Sequence, residues 1–298
     1  MRWKRNTGFD RIEDRRGQGG GGGMFGGGML GGGGGGLPIP IPGGKAGGGI
    51  GGVVIAVVLF LLLSGVLGGN GSGLSGLGGG PVQPGGTLNP QDDTDQFLAY
   101  VTQDIQDFWI ETFRASGREM PMQPLVLFEG GTTSACGPAS SSTGPFYCPA
   151  DQKVYLDLGF FDELQSRFGA QGGDFAIAYV VAHEYGHHVQ TVLGISEDVQ
   201  RQSQADPSRR NDLSVRQELQ ADCMAGLWAR SAASDLEPGD IEEALSAAAA
   251  VGDDRIQEAT QGRVDPESWT HGSAEQRVQW FTTGYETGDL NRCDTFAN

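Results

Sequence analysis

The sequence predicts an α+β protein, in which one mostly helical domain with a small sheet follows a glycine-rich tail and one transmembrane helix. Composition changes sharply along the 298 residues: 1–49 and 68–91 are rich in glycine, whereas 92–298 has the mixed composition of a globular domain. Within the domain, long stretches with helical periodicity outnumber two short β-prone runs. We therefore expect a disordered basic tail (1–49), an anchor (50–67), a linker (68–91) and one domain (92–298).

Charge is distributed unevenly between these segments. The net charge is −17, yet residues 1–69 contain seven Lys and Arg against three Asp and Glu. This part therefore carries +4 and the remainder −21. An acidic domain argues against nucleic acid as a partner, because a phosphate backbone binds basic surfaces.

Residues 50–67, IGGVVIAVVLFLLLSGVL, are uncharged and have the length of a transmembrane helix. As a helix they span about 27 Å, close to the hydrocarbon thickness of a bilayer. The alternatives are a buried core helix and a signal peptide. A core helix would have nothing to pack against here, because both flanking segments are rich in glycine. A signal peptide would begin nearer the N-terminus and end at a cleavage site. Basic residues before the stretch predict a cytoplasmic N-terminus. We expect a single-pass protein of the cell membrane with its domain outside the cytoplasm.

The four cysteines agree with that location. Cys136 and Cys148 enclose a loop rich in Ser, Thr, Gly and Pro, which a disulfide would restrain. An even number of cysteines in an extracytoplasmic domain favours disulfides over thiols. Cys223 and Cys293 are candidates for a second bridge, with a buried thiol at Cys223 as the alternative. Neither pair has the C-x-x-C spacing of a cysteine zinc site.

The domain begins with a predicted helix from Thr94 to Ala115, whose apolar residues recur on one side. Two β-prone runs bounded by Pro or Gly, 125–128 and 154–158, predict strands. The second run precedes the central helix of the domain. We hypothesise that Lys153–Gly159 offers a strand edge to an extended peptide, and a core strand is the alternative.

The central pattern is H-E-x-x-H, formed by His183, Glu184 and His187. Apolar residues surround it and predict a buried helix, with Asp174 capping the start and Gly194 ending it. Histidines four residues apart lie on one helix face and can bind one zinc ion. Glu184 is offset by about 100° and can act as general base. Solvated surface residues are the alternative, but so apolar a helix would bury them at high cost.

A catalytic zinc site has three protein ligands and an open position, so a third ligand is needed. His188 points about 140° around the helix from His183 and cannot join the pair. A second predicted helix, 213–231, carries Glu218 and Asp222 one turn apart. We predict Glu218 as the third ligand and Asp222 as the acceptor that orients a ligand histidine. The exchanged assignment is the alternative.

The remaining predictions concern helix boundaries and one more histidine. A polar connection is expected up to Asn211, and a capping-box pattern at 214–217 marks the start of the second helix. A further helix is predicted over 240–259; it is rich in alanine, and we expect it to have a structural role in packing. His271 lies in a loop before a further helix, whose start has a capping box at 273–276. We predict that His271 stabilises the oxyanion of a tetrahedral intermediate; an exposed loop histidine is the alternative.

Together these motifs resemble those of the bacterial neutral zinc metallopeptidase family, the YpfJ-type membrane proteins. The resemblance covers nearly the whole chain and rests on V-A-H-E-Y-G-H-H-V-Q, on the later E-L-Q-A-D, and on Thr270-His271. More distantly, the order is similar to that of gluzincin peptidases. There H-E-x-x-H supplies two ligands and the base, and E-x-x-x-D supplies the third ligand and its supporting Asp. The resemblance implies a zincin-like fold. Membrane relatives have the segment T-H-P, whereas this chain has Gly272 in place of the proline.

The predicted function is therefore that of a membrane-anchored zinc endopeptidase, with one Zn²⁺ per chain and a peptide or protein as substrate. Glu184 would act as general base and then as general acid. Two other classes remain open: a non-catalytic zinc-binding module that serves as an envelope chaperone or adaptor, and a hydrolase of non-peptide amides. The intact Glu184 weighs against the non-catalytic module, because a purely structural zinc site does not need a base.

Overall fold

A computed structural model describes residues 1–17 and 88–297. These residues form eight α-helices and two small sheets, which agrees with the predicted mostly helical α+β domain. In chain order the helices are α1 (Asp93–Ala115), α2 (Gly159–Phe168), α3 (Asp174–Leu193), α4 (Ile195–Ala205), α5 (Arg210–Ser231), α6 (Asp240–Ala250), α7 (Asp253–Gln261) and α8 (Ala274–Thr287). The strands are β1 (Ile12–Asp14), β2 (Leu125–Phe128), β3 (Gly131–Ser134), β4 (Gly137–Ser140), β5 (Phe146–Cys148) and β6 (Lys153–Asp157).

The centre of the domain is the packing of α3 against α5, and α8 also packs against α5. Small residues allow these helices to approach closely. A Cβ atom at Gly186 would lie 3.1 Å from Cα of Ala221, and one at Gly284 would lie 2.0 Å from the carbonyl oxygen of Cys223. The backbones of α3 and α8 therefore each lie close to the backbone of α5. Side chains on these three helices can reach one another across short distances.

The larger sheet has the strand order β1-β2-β6-β5, and β3 and β4 form a separate hairpin. β1, β2 and β6 are parallel, whereas β5 is antiparallel to β6. β6 thus lies between β2 and β5, with both its edges paired. The hypothesis that Lys153–Gly159 offers an edge to a peptide is wrong, and this segment is a core strand. The outer position on this side of the sheet belongs to β5, next to α3.

The N-terminal segment, defined as residues 1–17, packs against the domain. Its strand β1 pairs with β2, and its first residue, Met1, is buried in the main core. The predicted disordered state of 1–49 is therefore wrong for 1–17, because these residues find partners far away in the sequence. The rest of that tail, the predicted anchor (50–67) and most of the linker lie outside the described residues. Within 1–17 and 88–297, no helix is long and apolar enough to cross a membrane.

Several predicted elements are confirmed at nearly their predicted bounds. The first predicted helix is α1, and the two predicted strands are β2 and β6. α3 ends at Leu193, because Gly194 takes up a left-handed φ of 81°. Its start differs from the prediction, since Gly173 rather than Asp174 is the N-cap. The carboxylate of Asp174 instead accepts bonds from the amino group of Met1 at 3.0 Å.

The region before the second predicted helix also differs. The expected polar connection contains α4, and α5 begins one residue before Asn211. Ser214 therefore lies inside α5 and does not start it in a capping box. Its hydroxyl donates to the carbonyl of Thr270 at 2.9 Å and ties α5 to the loop before α8. The capping box predicted at 273–276 is confirmed at the start of α8.

The helix predicted over 240–259 is two helices, α6 and α7, which are separated at Gly252. A Cβ atom there would lie 2.3 Å from the backbone nitrogen of Ala274, so the chain passes too close to α8 for one straight helix. The break brings Asp253, the first residue of α7, beside the loop that carries His271.

Both cysteine pairs form disulfides in the structure. Cys136–Cys148 joins the turn of the β3–β4 hairpin to β5, and Cys223–Cys293 joins α5 to the C-terminal turn. The bridge at Cys223 resolves the alternative of a buried free thiol. The second bridge closes a separation of 70 residues and holds α5 in place.

Candidate zinc site

The predicted ligand histidines lie on the buried face of α3. His183 and His187 are each 6% exposed, and their ring centroids are 4.8 Å apart. Glu218 approaches from α5, with its carboxylate oxygens 3.2 Å from Nε2 of His183 and 3.5 Å from Nε2 of His187. The structure therefore brings together the three side chains that the sequence predicts as zinc ligands.

The donor types and spacing of this group fit a zinc ion. One ligand atom from each of the three residues lies within 4.8 Å of the others. With bonds of about 2.0–2.1 Å, two ligands of a tetrahedral zinc are about 3.3 Å apart. The observed nitrogen–oxygen distances of 3.2 and 3.5 Å lie on either side of that value. Two imidazoles and one carboxylate are also a ligand set of catalytic zinc sites with an open fourth position.

Asp222 holds His183 from the side opposite to Nε2. Its Oδ1 lies 2.8 Å from Nδ1 of His183 and accepts a bond of 2.6 Å from the hydroxyl of Tyr179. The guanidinium of Arg277 binds both carboxylate oxygens, at 2.8 and 2.9 Å. Since Asp222 contacts Nδ1 whereas Glu218 faces Nε2, the geometry favours the predicted assignment over the exchanged one.

Gln190 supports the other histidine, and the sequence analysis did not identify this role. Its Oε1 is 2.8 Å from Nδ1 of His187, so the ring donates there and directs Nε2 towards Glu218. Its amide group donates to the carbonyl of Gln217 at 2.7 Å and to Gln220 at 3.0 Å. The signal was present in the sequence, because a polar residue three positions after a ligand lies on the same helix face.

The charges and hydrogen bonds of the site favour the ionised form of both carboxylates, Glu218 and Asp222. Burial alone would raise the pKa of Glu218, but the charge of His187 and a hydrogen bond from His183 hold it well below its ordinary value. Burial also opposes ionisation of Asp222, yet Arg277 and His183 keep its pKa low. For His183, burial lowers the pKa, and the charge of Asp222 outweighs this and raises it to about 9. Binding of a divalent cation to these ligands would therefore release the proton held by His183.

Glu184 lies beside the three ligands without belonging to their group. It is 8% exposed and lines the same cavity as His183 and His187. Burial raises the pKa of its carboxyl group. A buried carboxylate beside the candidate ligands can accept a proton and later return it, which is what a general base and acid must do.

His271 also reaches the site, and the alternative of an exposed loop histidine is excluded by its 8% exposure. Its Nδ1 is 3.1 Å from Oδ1 of Asp253. The other oxygen of Asp253 accepts the backbone N–H groups of Thr270, His271 and Gly272 at 2.6–3.1 Å. Burial lowers the pKa of His271, but Asp253 outweighs it and the pKa is raised. Asp253 thus fixes the loop and leaves Nε2 of His271 as the available donor. The sequence analysis did not identify Asp253.

These residues line one side of a cavity of about 140 Å³, and its other side is largely apolar. The apolar wall comes from β5, α2 and α7 and includes Phe146, Phe160, Leu164, Phe168 and Ile256. The cavity therefore places an apolar surface next to the candidate ligands and Glu184.

His188 lies outside this arrangement, as predicted from its angle on the helix. Its Nε2 is 3.1 Å from the carbonyl oxygen of Pro121 and must donate, so Nδ1 accepts the hydroxyl of Tyr147 at 3.1 Å. Burial lowers the pKa of His188. This histidine is a neutral structural residue that links α3 to β5.

A buried helix that presents H-E-x-x-H to a carboxylate on a second helix is the arrangement of zinc metallopeptidases. The sequence model of the family described as "Putative neutral zinc metallopeptidase" matches residues 1–296, and the chain belongs to this family. The match includes the N-terminal segment as well as the domain.

Two relatives illustrate how far the similarity extends. The uncharacterized protein YpfJ of Escherichia coli K12 is 43% identical over 304 residues, which cover 100% of this chain and 99% of that protein. The uncharacterized protein Rv2575 of Mycobacterium tuberculosis H37Rv is 54% identical over 185 residues, or 58% of this chain and 62% of that protein. No solved structure matches the chain significantly.

Proposed function

We propose that the protein is a zinc-dependent endopeptidase that binds one zinc ion per chain. The observation that carries this proposal is the position of Glu184. It lies beside His183, His187 and Glu218 in the same cavity, yet it is not part of the ligand group. A site that only stored or displayed a metal would not need a fourth, buried acid with a raised pKa next to its ligands.

Each residue has a separate task in the proposed reaction. His183, His187 and Glu218 would hold the zinc, which when bound supplies Lewis acidity towards water and the peptide carbonyl. Glu184 takes a proton from the attacking water and delivers it to the leaving amine. His271 donates a hydrogen bond from Nε2 to the oxyanion that develops on the carbonyl oxygen.

The cavity favours a peptide with a large apolar side chain next to the scissile bond. Its volume of about 140 Å³ is close to that of an engineered apolar cavity of about 150 Å³ that binds benzene. A Phe or Leu side chain is of this size. The aromatic wall, which includes Phe146, Phe160 and Phe168, would bury such a side chain and orient the bond towards Glu184.

The location of the enzyme is part of the proposal. Two disulfides in one domain favour an oxidising compartment over the cytoplasm. We propose that the domain is extracytoplasmic and that its substrates are proteins or peptides. The acidic charge of the chain argues against nucleic acid.

The test compares the wild-type full-length protein with Glu184→Gln on a mixed peptide library, with zinc content measured in both. We expect Glu184→Gln to retain zinc and to lower kcat by about 10²–10⁴-fold, because it removes the general base. The exposed residue Glu242 offers a matched control, Glu242→Gln, which should leave cleavage unchanged. His271→Gln should lower kcat by about 10²–10³-fold, with zinc retained and KM little affected.

The same experiment separates the alternative functions. Equal cleavage by wild type and Glu184→Gln would contradict the assigned base. Peptide binding by both proteins with bound zinc but without cleavage would favour the non-catalytic chaperone or adaptor. Hydrolysis of non-peptide amides, with peptides left uncleaved, would favour the third function, a hydrolase of non-peptide amides. A well-folded wild type that binds no zinc would contradict the ligand assignment.

A further inference from the structure

The N-terminal segment forms an interface with the domain that involves its backbone as well as its side chains. β1 pairs in parallel with β2, with Ile12 opposite Leu125 and Asp14 opposite Leu127. Strand pairing of this kind satisfies backbone groups on both sides and extends the central sheet. The segment is thus a structural strand of the domain.

A glycine in the segment contacts the backbone of α1 directly. Gly8 has a φ of 75°, and a Cβ atom at this position would lie 1.9 Å from the carbonyl oxygen of Ala99. Only glycine allows this backbone conformation and this approach together. Nearby, the rings of Trp3 and Phe97 are in edge contact, with centroids 6.2 Å apart. The shape of the segment matches the surface of α1.

Four of the six basic residues in the segment form ion pairs with carboxylates of the described residues. Arg16 binds Asp95 of α1 at 2.8 Å and Asp14 at 2.9 Å, and Arg5 binds Asp93 at 2.5 Å. Asp95 is only 2% exposed. Loss of Arg16 would therefore leave a buried negative charge with no cation to compensate it. Several of the positive charges that predict a cytoplasmic N-terminus therefore serve as counterions of carboxylates in the domain.

The segment also reaches the helix that carries the candidate zinc ligands. The amino group of Met1 lies 3.0 Å from Asp174, the first residue of α3, and 3.2 Å from Asp240, the first residue of α6. Both carboxylates lie at helix N-termini, where the backbone amides point outwards. The segment thus links the sheet and α1 to the starts of α3 and α6.

We propose that the N-terminal segment is an integral part of the domain and lies on the same side of the membrane as the domain. A bilayer with a hydrocarbon core of about 30 Å cannot lie between a strand and the strand it pairs with. A single crossing by residues 50–67 would separate β1 from β2, so the predicted single-pass topology and this interface exclude each other. This placement of the segment depends on neither zinc binding nor peptidase activity.

The first experiment measures topology in cells that express the full-length chain. All four native cysteines are in disulfides, so an added cysteine is the reactive thiol. Lys4→Cys and Asp10→Cys report on the segment, and Gln204→Cys reports on the domain; all three positions are exposed. Each variant is treated with a membrane-impermeant maleimide before and after permeabilisation of the cells.

We expect the segment and domain cysteines to react under the same condition. Reaction of all three in intact cells supports the proposal together with an extracytoplasmic domain. Reaction of all three only after permeabilisation also supports the proposal, and it overturns the extracytoplasmic placement alone. Reaction of Gln204→Cys in intact cells, with Lys4→Cys and Asp10→Cys protected until permeabilisation, overturns the proposal.

A second experiment tests the interface itself by charge exchange in the purified full-length protein. Arg16→Glu should lower Tm by about 4 °C or more, because it leaves the buried carboxylate of Asp95 without its cation. The double variant Arg16→Glu/Asp95→Arg should recover part of this loss. Arg209→Glu, a charge reversal at an exposed residue of the domain, is the matched control. An Arg16→Glu protein with the Tm of Arg209→Glu would overturn the interface.

Discussion

The candidate zinc site and the N-terminal segment both bring opposite charges together, but they do so in different surroundings. At the site, Asp222 and Arg277 are 0% and 3% exposed and are joined by two hydrogen bonds. In the segment, most ion pairs are partly open to solvent; the Arg5–Asp93 pair, for example, has side chains that are 53% and 72% exposed. The segment depends more on strand pairing and on its fit to α1.

This difference sets the size of the effect that a substitution should have in each region. Removing one partner of a buried pair leaves an uncompensated charge and costs several kcal/mol, whereas an exposed pair contributes about 0–1 kcal/mol. Loss of a zinc ligand, or of the buried partner that orients a ligand, should therefore impair metal binding and reaction together. Single changes to exposed charges of the segment should have small effects, and larger losses there should arise only at its buried contacts.

Glu218→Gln should have the largest effect, because it replaces a charged ligand by a neutral amide. We expect zinc content well below one ion per chain after dialysis, and peptide cleavage at background level. Metal analysis and the peptide-library assay check this result, with the exposed residue Glu197 as a matched control in Glu197→Gln. Full zinc binding by Glu218→Gln would move the ligand role to Asp222, the exchanged assignment.

The two disulfides should differ in their contribution to stability. Cys223–Cys293 closes a separation of 70 residues and Cys136–Cys148 one of 12. Chain entropy predicts losses of about 4 and about 3 kcal/mol for the paired Cys→Ala variants. Thermal unfolding of both double variants measures the difference. A larger loss at Cys136–Cys148 would mean that the hairpin contributes more to the domain than its short loop suggests.

Asp222→Asn should weaken zinc binding by about 10–100-fold, because it removes the charged acceptor that orients His183. Competition with a chelator measures the change in zinc Kd. Asp212→Asn, at an exposed position of the same helix, controls for the loss of one negative charge. Unchanged zinc affinity in Asp222→Asn would contradict the orienting role and would leave Asp222 as a structural partner of Arg277.

The sequence predicts the site better than the segment for a physical reason. His183, Glu184 and His187 are related by the 3.6-residue period of one helix, so their spacing alone fixes their mutual positions. Glu218 required a further argument, namely the number of ligands that zinc needs. The roles of Asp253 and Arg277 depend on contacts between different elements of the fold. No spacing in the sequence encodes those contacts.

The N-terminal segment shows where composition misleads. Residues 1–17 are polar, basic and followed by glycine runs, which is typical of disorder. Their partners, among them Asp95 and Phe97 in α1 and Leu125 in β2, lie more than 70 residues further along the chain. A rule based on local composition cannot include such partners. The break at Gly252 was missed for a similar reason, since it depends on the close approach of α8.

Glu13 in β1 should give the smallest effect, with a defined pH dependence. Burial alone would raise the pKa of Glu13, but hydrogen bonds from Lys153 and Arg15 outweigh it and lower the pKa from its ordinary value of 4.5. Because the pKa is lower in the folded state, ionised Glu13 stabilises the fold at pH values above about 4.5. This contribution is lost as pH falls through the folded-state pKa.

Glu13→Gln should therefore lower Tm by a similar amount at pH 8 and pH 6, and the difference from wild type should shrink below about pH 4.5. The Glu13 side chain is 35% exposed, so the stabilisation should be less than about 1 kcal/mol. Thermal unfolding of both full-length proteins across this pH range measures it. A difference that grows on acidification would contradict the sign of the pKa shift. A loss of several kcal/mol at pH 7 would mean that the segment is held as tightly as the zinc site.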